Sequence, residues 1–417
     1  MGDIQEQLAL LKRRIARIDR KYSRGVPAPP PAARDVRPAR YFVDEWMSGR
    51  EVETPHGRHF ESERTWQRHR RHGSVDISVL DELPPDLLSA ISAGAIPDSP
   101  PRRWAFLDTE TTGLAGGTGT CAFLVGIGRI DAQGFHLRQF FMRDYGEEPS
   151  LLAAVAAHLE GFDVLVTYNG KTYDQPLLET RYRMARMRPP FARLAHLDLL
   201  AGARRLWKLR FESCRLVDLE NQILGVERQG DLPGDMIPYV YFEYLRSGEA
   251  LRVAPIFHHN ALDILTLACL TAIVPRAFRS PAGAPLAHGA EMVGLARWLR
   301  QAEQLDESAE LFRRAIARGL PDHLLFRTMW DLALIEKKRG RQDAAVAVFT
   351  DLAASKNGYQ TAAIEELAKY YEHTERNYAM ALDFTRAALA ITDTAALRRR
   401  EERLRRRAAG FNNGRLL

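Results

Sequence analysis

The chain has 417 residues, 46% of them hydrophobic and 27% charged, with a formal net charge of +6. That length accommodates two or three domains of ordinary globular composition, and the basic excess favours an anionic partner. Cys121, Cys214 and Cys269, odd in number and far apart, exclude a disulfide framework and a cysteine metal site.

The first 22 residues carry Ile4, Leu8, Leu11, Ile15 and Ile18 at 4-3-4-3 spacing, a helical stripe. Two heptads fall short of a coiled coil, so the expectation is a helix docked on its own domain. These residues are too charged for a secretory signal, and no apolar run reads as membrane-spanning, so a soluble cytoplasmic protein without membrane contact is expected. "GVPAPPPAARDVRP" reads as an extended linker and closes a first region, 1–39. Residues 40–99 are a mixed extension in which "EVETPHGRHFESERTW" predicts a hairpin about a Pro-His-Gly turn. From Trp104 the pattern changes. "RWAFLDTET", "TCAFLVGIGRI", "FHLRQFFMR" and "FDVLVTYN" predict strands, with "PSLLAAVAAHLEG" a helix between the third and fourth. Three strands followed by strand–helix alternation predict an α/β domain with a mixed sheet flanked by helices over 100–278. Residues 285–410 are helical and periodic. Ala309, Ala345 and Ala381 are 36 apart, as are Phe312, Val348 and Phe384. That period predicts an all-α helical-repeat domain resembling tetratricopeptide repeats, whose groove offers a surface for a protein partner.

The chemistry concentrates at "FLDTETTGLAGGTGT", Phe106–Thr120. "GTGTCA" fits the dinucleotide fingerprint in letters only, since a strand rather than a helix follows it, which excludes a nicotinamide site. Asp108 and Glu110 are i and i+2 on a strand and share a face. Two converging carboxylates repel unless a cation intervenes, and an oxygen donor set suits Mg2+ or Mn2+. Further acids are at hand. "VTYNGKTYDQPLLETR" sets Asp174 at a helix start, with Asn169 and Tyr173 flanking the turn. "HHNALDILTLACL" puts His259 and Asp263 four apart on one helix face, with His258 about a quarter-turn away.

"FLDTETTGL" with "GGTGT", "TYNGKTYDQPLLETR", "HLDLLAGARRLW" and "FHHNALDILTL" resemble the motifs of the DEDD exonuclease superfamily, of ribonuclease H-like fold, and within it the YprB-like branch with helical repeats behind the nuclease domain. The resemblance covers residues 40 to 275 and, more loosely, the repeats. It implies 3′-to-5′ removal of nucleotides from DNA or RNA with two Mg2+ or Mn2+ ions. It carries the metal ligands onto Asp108, Glu110, Asp174 and Asp263, and the general base onto His259, with His258 matching the spacing of the histidine type. Asn169 is then expected to position the substrate strand, and Thr109 to offer its backbone N–H near the terminal nucleotide.

Arg181, Arg183, Arg186, Arg188, Arg204, Arg205, Lys208 and Arg210 could track a phosphate backbone, with Trp207 or Phe211 available for stacking, or else form a solvated helix face. The arginines between Arg398 and Arg407 carry the same alternatives, and Asp198 reads as a helix start or a supporting carboxylate. Against the nuclease reading stand a nucleic-acid-binding adaptor and a repeat scaffold with weak or no nuclease activity. Metal-dependent release of mononucleotides separates the first from both.

Overall fold

The structure, a computed structural model, describes Val43 and residues 47–113 and 119–413. The helix and Pro-rich linker expected in 1–39 and most of the glycine-rich run, residues 114–118, lie outside the described residues. Seven strands form one mixed sheet: β1 (Arg50–Thr54), β2 (Gly57–Gln67), β3 (Trp104–Thr111), β4 (Ala122–Asp131), β5 (Gly134–Phe141), β6 (Val164–Thr167) and β7 (Ala195–Asp198). Their spatial order is β1-β2-β5-β4-β3-β6-β7, antiparallel through β3 and parallel across β3-β6-β7. The expected hairpin is β1–β2, and it extends this sheet rather than standing apart, because β2 pairs with β5 from Phe60–Phe141 to Gln67–Gly134. Sequence reading missed β7. Its four residues, Ala-His-Leu-Asp, are too short to show a period and run directly into a helix.

Central β3 opens with Trp104, Ala105, Phe106 and Leu107, all essentially buried, as a strand covered on both faces requires. α1 (Glu148–Leu159), α2 (Asp174–Met184), α3 (Leu199–Trp207), α4 (Ile237–Ser247) and α5 (Ala254–Arg279) complete this part. α5 packs across β3 and β4. One correction follows from it. The stretch Ala250–Arg279 is long and apolar enough to cross a membrane, with mean hydropathy 1.7 in its most apolar window, contrary to the expectation that no such run exists. Its composition has another cause, since 78% of that window is buried inside the protein and it forms the core's main helix.

The remainder is helical: α6 (Gly289–Gln301), α7 (Leu305–Arg318), α8 (Asp322–Lys338), α9 (Gln342–Ala354), α10 (Gln360–His373), α11 (Tyr378–Ile391) and α12 (Ala395–Asn413). The pairs α6–α7, α8–α9 and α10–α11 match the 36-residue offset, and Ala309, Ala345 and Ala381 are buried where the second helix of each pair packs. The apolar core continues from Trp104, Phe106 and Ile264 through Trp207, Val274 and Phe278 to Trp298, Leu299 and Phe312 without a break. Gly294 of α6 makes this contact close: a Cβ there would stand 2.4 Å from the Arg205 carbonyl oxygen and 2.9 Å from that of Leu206, at the end of α3.

Candidate active site

Asp108 and Glu110 occupy the C-terminal part of β3, opposite Gly126 and Leu124 of β4, and the register slips between Glu110 and Thr111. Gly126 decides how near α5 can come. A Cβ there would lie 2.2 Å from Asn260 Oδ1 and 2.3 Å from Ile264 Cδ1. With that space open, Asn260 Nδ2 donates to Asp108 Oδ2 at 2.9 Å. Asn260 is itself held, its Oδ1 accepting from Gln139 Nε2 at 2.9 Å, while the same amide reaches the Phe257 carbonyl. Asp108 is therefore aimed by residues of β5 and α5.

Asp174 begins α2, after a turn in which Asn169 adopts φ +68°, a left-handed conformation that asparagine tolerates better than most residues. Asp198 fixes that turn. Its Oδ1 accepts from the Asn169 N–H at 2.8 Å and the Leu200 N–H at 3.1 Å, and its Oδ2 from the Lys171 N–H at 3.2 Å. The one carboxylate thus caps α3 and braces the loop that presents Asp174. Thr109 Oγ1 donates to Asp174 Oδ1 at 2.5 Å. On α5, His259 Nε2 lies 3.6 Å from Asp263 Oδ2, and His259 Nδ1 lies 2.8 Å from Asp231 Oδ2. His258 is exposed and lines a separate surface hollow with Ser62, Arg64 and Gln139. Arg228, almost wholly buried, donates from Nη2 to Asp263 Oδ1 at 2.5 Å, from Nη1 to Asp231 Oδ2 at 3.2 Å, and from Nε to Glu220.

The acids are close enough to disturb one another. Desolvation, then the charges of Asp263 and Asp174, push Asp108 well above the usual carboxylate range. Desolvation and then Asp108, Asp263, Asp174 and Asp231 do the same to Glu110. Burial lifts Asp174 to about 6, against the hydrogen bond from Thr109 that favours its charged form. His259 is pulled down by burial but held above its ordinary value by its hydrogen bond to Asp231 and the charge of Asp263.

The donor chemistry of this cluster fits a hard divalent cation. Glu110 is buried and faces the like charges of Asp108, Asp263, Asp174 and Asp231. Among the described residues, however, no three His, Cys, Asp or Glu side chains are gathered closely enough to hold an ion as they stand. Asp263 meanwhile has one oxygen engaged by Arg228.

Residues 105–274, nearly all of the α/β part from β3 to α5, match the RNase_H_2 family of the RNase_H superfamily. The chain is also 33% identical over 367 residues to the uncharacterized protein YprB of Bacillus subtilis (strain 168), an alignment covering 86% of this chain and 84% of that one. The chain belongs to the YprB-like branch of the ribonuclease H superfamily. A ribonuclease H-like fold supports a nucleic-acid hydrolase in general, and the acids of this YprB-like chain cluster on the sheet's central strand and on the elements packed beside it.

Asp108, Glu110, Asp174, Asp263 and His259 come together in this YprB-like fold. Thr109 also lies there, its hydroxyl donating to Asp174 and its backbone N–H adding a hydrogen bond to the same carboxylate. Asn169 contributes a backbone N–H to Asp198, and its side chain makes no hydrogen bond among the described residues. Several basic residues expected along a strand path are engaged elsewhere. Arg181 pairs with Glu148, Arg183 with Glu179 and Arg210 with Glu291, and Arg205 covers Trp298. Trp207 is buried in the core and offers no stacking face. The terminal arginines Arg400, Arg403 and Arg407 converge on Glu372. Sequence reading missed Arg228, Asp231, Gln139 and Asn260. The one available signal was "ERQGDLPGD", Glu227–Asp235, a glycine-punctuated loop that sets one arginine among three acids.

Proposed function

We propose that this chain is a metal-dependent 3′–5′ exonuclease acting on DNA or RNA. The observation that carries the reading is the charge imbalance at β3: three acids with raised affinity for protons beside a fourth, and, among the described residues, Arg228 as the one guanidinium hydrogen-bonded to any of them. The resemblance of the four acidic motifs to the DEDD set supports the polarity of attack. Asp108, Glu110, Asp174 and Asp263 would hold Mg2+ or Mn2+, two ions in the superfamily's pattern. Bound there, such ions would neutralise the charge that gathers on the scissile phosphate.

The protein's own groups have separate tasks. His259 Nε2, unprotonated, accepts a proton from the attacking water as its oxygen bonds to phosphorus. The bond from phosphorus to the 3′ oxygen of the preceding nucleotide breaks, that oxygen takes a proton from solvent, and a 5′-mononucleotide leaves. Asn169 and Thr109 line the approach of the terminal nucleotide. Residues 100–278 form the catalytic part in this reading, and the helical repeats of 285–410 select a protein partner or a longer substrate.

The test uses the full chain with 5′-labelled DNA and RNA oligonucleotides in Mn2+, resolved by product length. Stepwise shortening from the 3′ end that disappears on chelation is expected. Binding without shortening would replace this reading with that of a nucleic-acid-binding adaptor.

A further inference from the structure

Asp231 is not part of the four-acid set, yet it is wired into it. It lies on the loop between the segment Leu216–Leu224 and α4, 28 residues before His259. Both its oxygens are committed. Oδ1 accepts from the Leu232 backbone N–H at 2.9 Å, which fixes the carboxylate on its own loop. Oδ2 accepts from Arg228 Nη1 at 3.2 Å and stands 2.8 Å from His259 Nδ1. Arg228 is anchored in turn by Glu220, whose other oxygen accepts from Thr266 of α5 at 2.8 Å. The loop is thereby tied at two points to the helix that carries His259.

We propose that Asp231 is the positioning residue of His259. A carboxylate on Nδ1 favours the tautomer with its proton on that nitrogen. The lone pair then resides on Nε2, on the opposite edge of the ring, which is the edge 3.6 Å from Asp263 Oδ2. A ring rotated about Cβ–Cγ would lose the Asp231 bond and turn Nε2 away from the acids. Arg228, by binding Asp231 and Asp263 together, sets the distance between the group that orients the base and the acid beside it. This rests on the proposed role of His259 as base, and the test separates the two.

Asp231→Asn keeps shape and size while replacing the accepting carboxylate with an amide. The expected result is a kcat for Mn2+-supported release of mononucleotides lowered roughly 100-fold, the low end of what a positioned base contributes, with KM within about threefold of the parent. Mn2+ affinity by calorimetry should stay within about threefold, because Asp231 is not among the four acids. The double variant Asp231→Asn/His259→Ala should be no slower than His259→Ala alone, since residues acting as a unit are not additive. If His259→Ala is slow and Asp231→Asn is fast, or if the two losses multiply, the positioning role is wrong. If His259→Ala itself retains parental activity, the assignment of the base fails instead. A readout on the unaltered, metal-free protein stands apart from activity. With 15N-labelled histidine at a pH where the ring is neutral, His259 should carry its proton on Nδ1, and a proton found on Nε2 would overturn the proposal even if the variant does not fold.

Discussion

The helical repeats and the C-terminal end of β3 both bury acids, and they treat them in opposite ways. In the helical repeats three buried acids each meet two or three arginines. Asp331 meets Arg297, Arg300 and Arg327, Glu336 meets Arg313 and Arg339, and Glu372 meets Arg400, Arg403 and Arg407. Burial would raise the Glu372 carboxyl, but the arginines, Arg403 foremost, hold it below its ordinary value. At the end of β3 the balance is reversed. Asp108, Glu110 and Asp174 are all raised, and they face one another and Asp263. An acid enclosed by arginines joins two helices. Acids enclosed by other acids leave a deficit of positive charge for something outside the chain to fill.

The largest expected effect sits on the sheet side of this contrast. Asp174→Asn should lower nuclease activity by about 10³-fold or more, the equivalent of several kcal/mol of charge stabilisation, without loss of metal-free stability. Rates on a 5′-labelled oligonucleotide and a thermal scan decide it, and near-parental cleavage would mean that the sheet cluster is another structural knot. His259→Ala should slow cleavage ~10²–10⁴-fold, with oligonucleotide binding little changed, whereas His258→Ala should do far less. The reverse ranking would move the base to the exposed neighbour. On the repeat side, Glu372→Gln should leave cleavage of short oligonucleotides unaltered and cost about 1–3 kcal/mol in urea unfolding, because three guanidinium groups lose their common acceptor. An unchanged midpoint would show that those arginines are satisfied by water.

The smallest effect is one of pH, and its sign differs between the regions. Asp174 titrates at about 6 in the fold against 3.8 as a free side chain, so the folded state holds its proton more tightly. Its contribution to stability is present below 3.8 and is lost as pH rises through about 6. Glu372 behaves inversely: its contribution is present above its free value of 4.5 and is lost as pH falls below it. In metal-free protein, Asp174→Asn should flatten the decline between pH 4 and 6 by a few degrees in Tm, and Glu372→Gln should flatten the acid limb. Identical pH profiles for both variants and the parent would remove the electrostatic distinction.

How much of this was legible in the sequence varies with how local the cause is. Asp108, Glu110, Asp174, His259 and Asp263 stand at element ends or on one helix face, where alternation and i,i+4 spacing reveal which residues can converge. The β1–β2 hairpin and the 36-residue offset were readable for the same reason. Asn260 and Gln139 were not, because their service to Asp108 depends on β4–β5 register and on the absence of a side chain at Gly126. Arg228 and Asp231 lie on an aperiodic loop, and only folding brings them to residues 28 to 35 positions onward. The terminal arginines read as a solvated or nucleic-acid-binding run because Glu372, their shared partner, comes 28 to 35 residues earlier with nothing in the spacing to announce it.

Gly294 has a consequence for how such a protein can be remodelled. Where a Cβ would strike two carbonyl oxygens of α3, the first repeat helix is seated on the nuclease part backbone to backbone, so the bearing of the repeats is set at their near end. Additions or losses beyond α12 leave that seat untouched and alter only reach. A bulkier residue at 294 would alter aim instead, tilting the whole array with every surface residue intact. Gly294 is thus a fixed mount that tolerates no spacer.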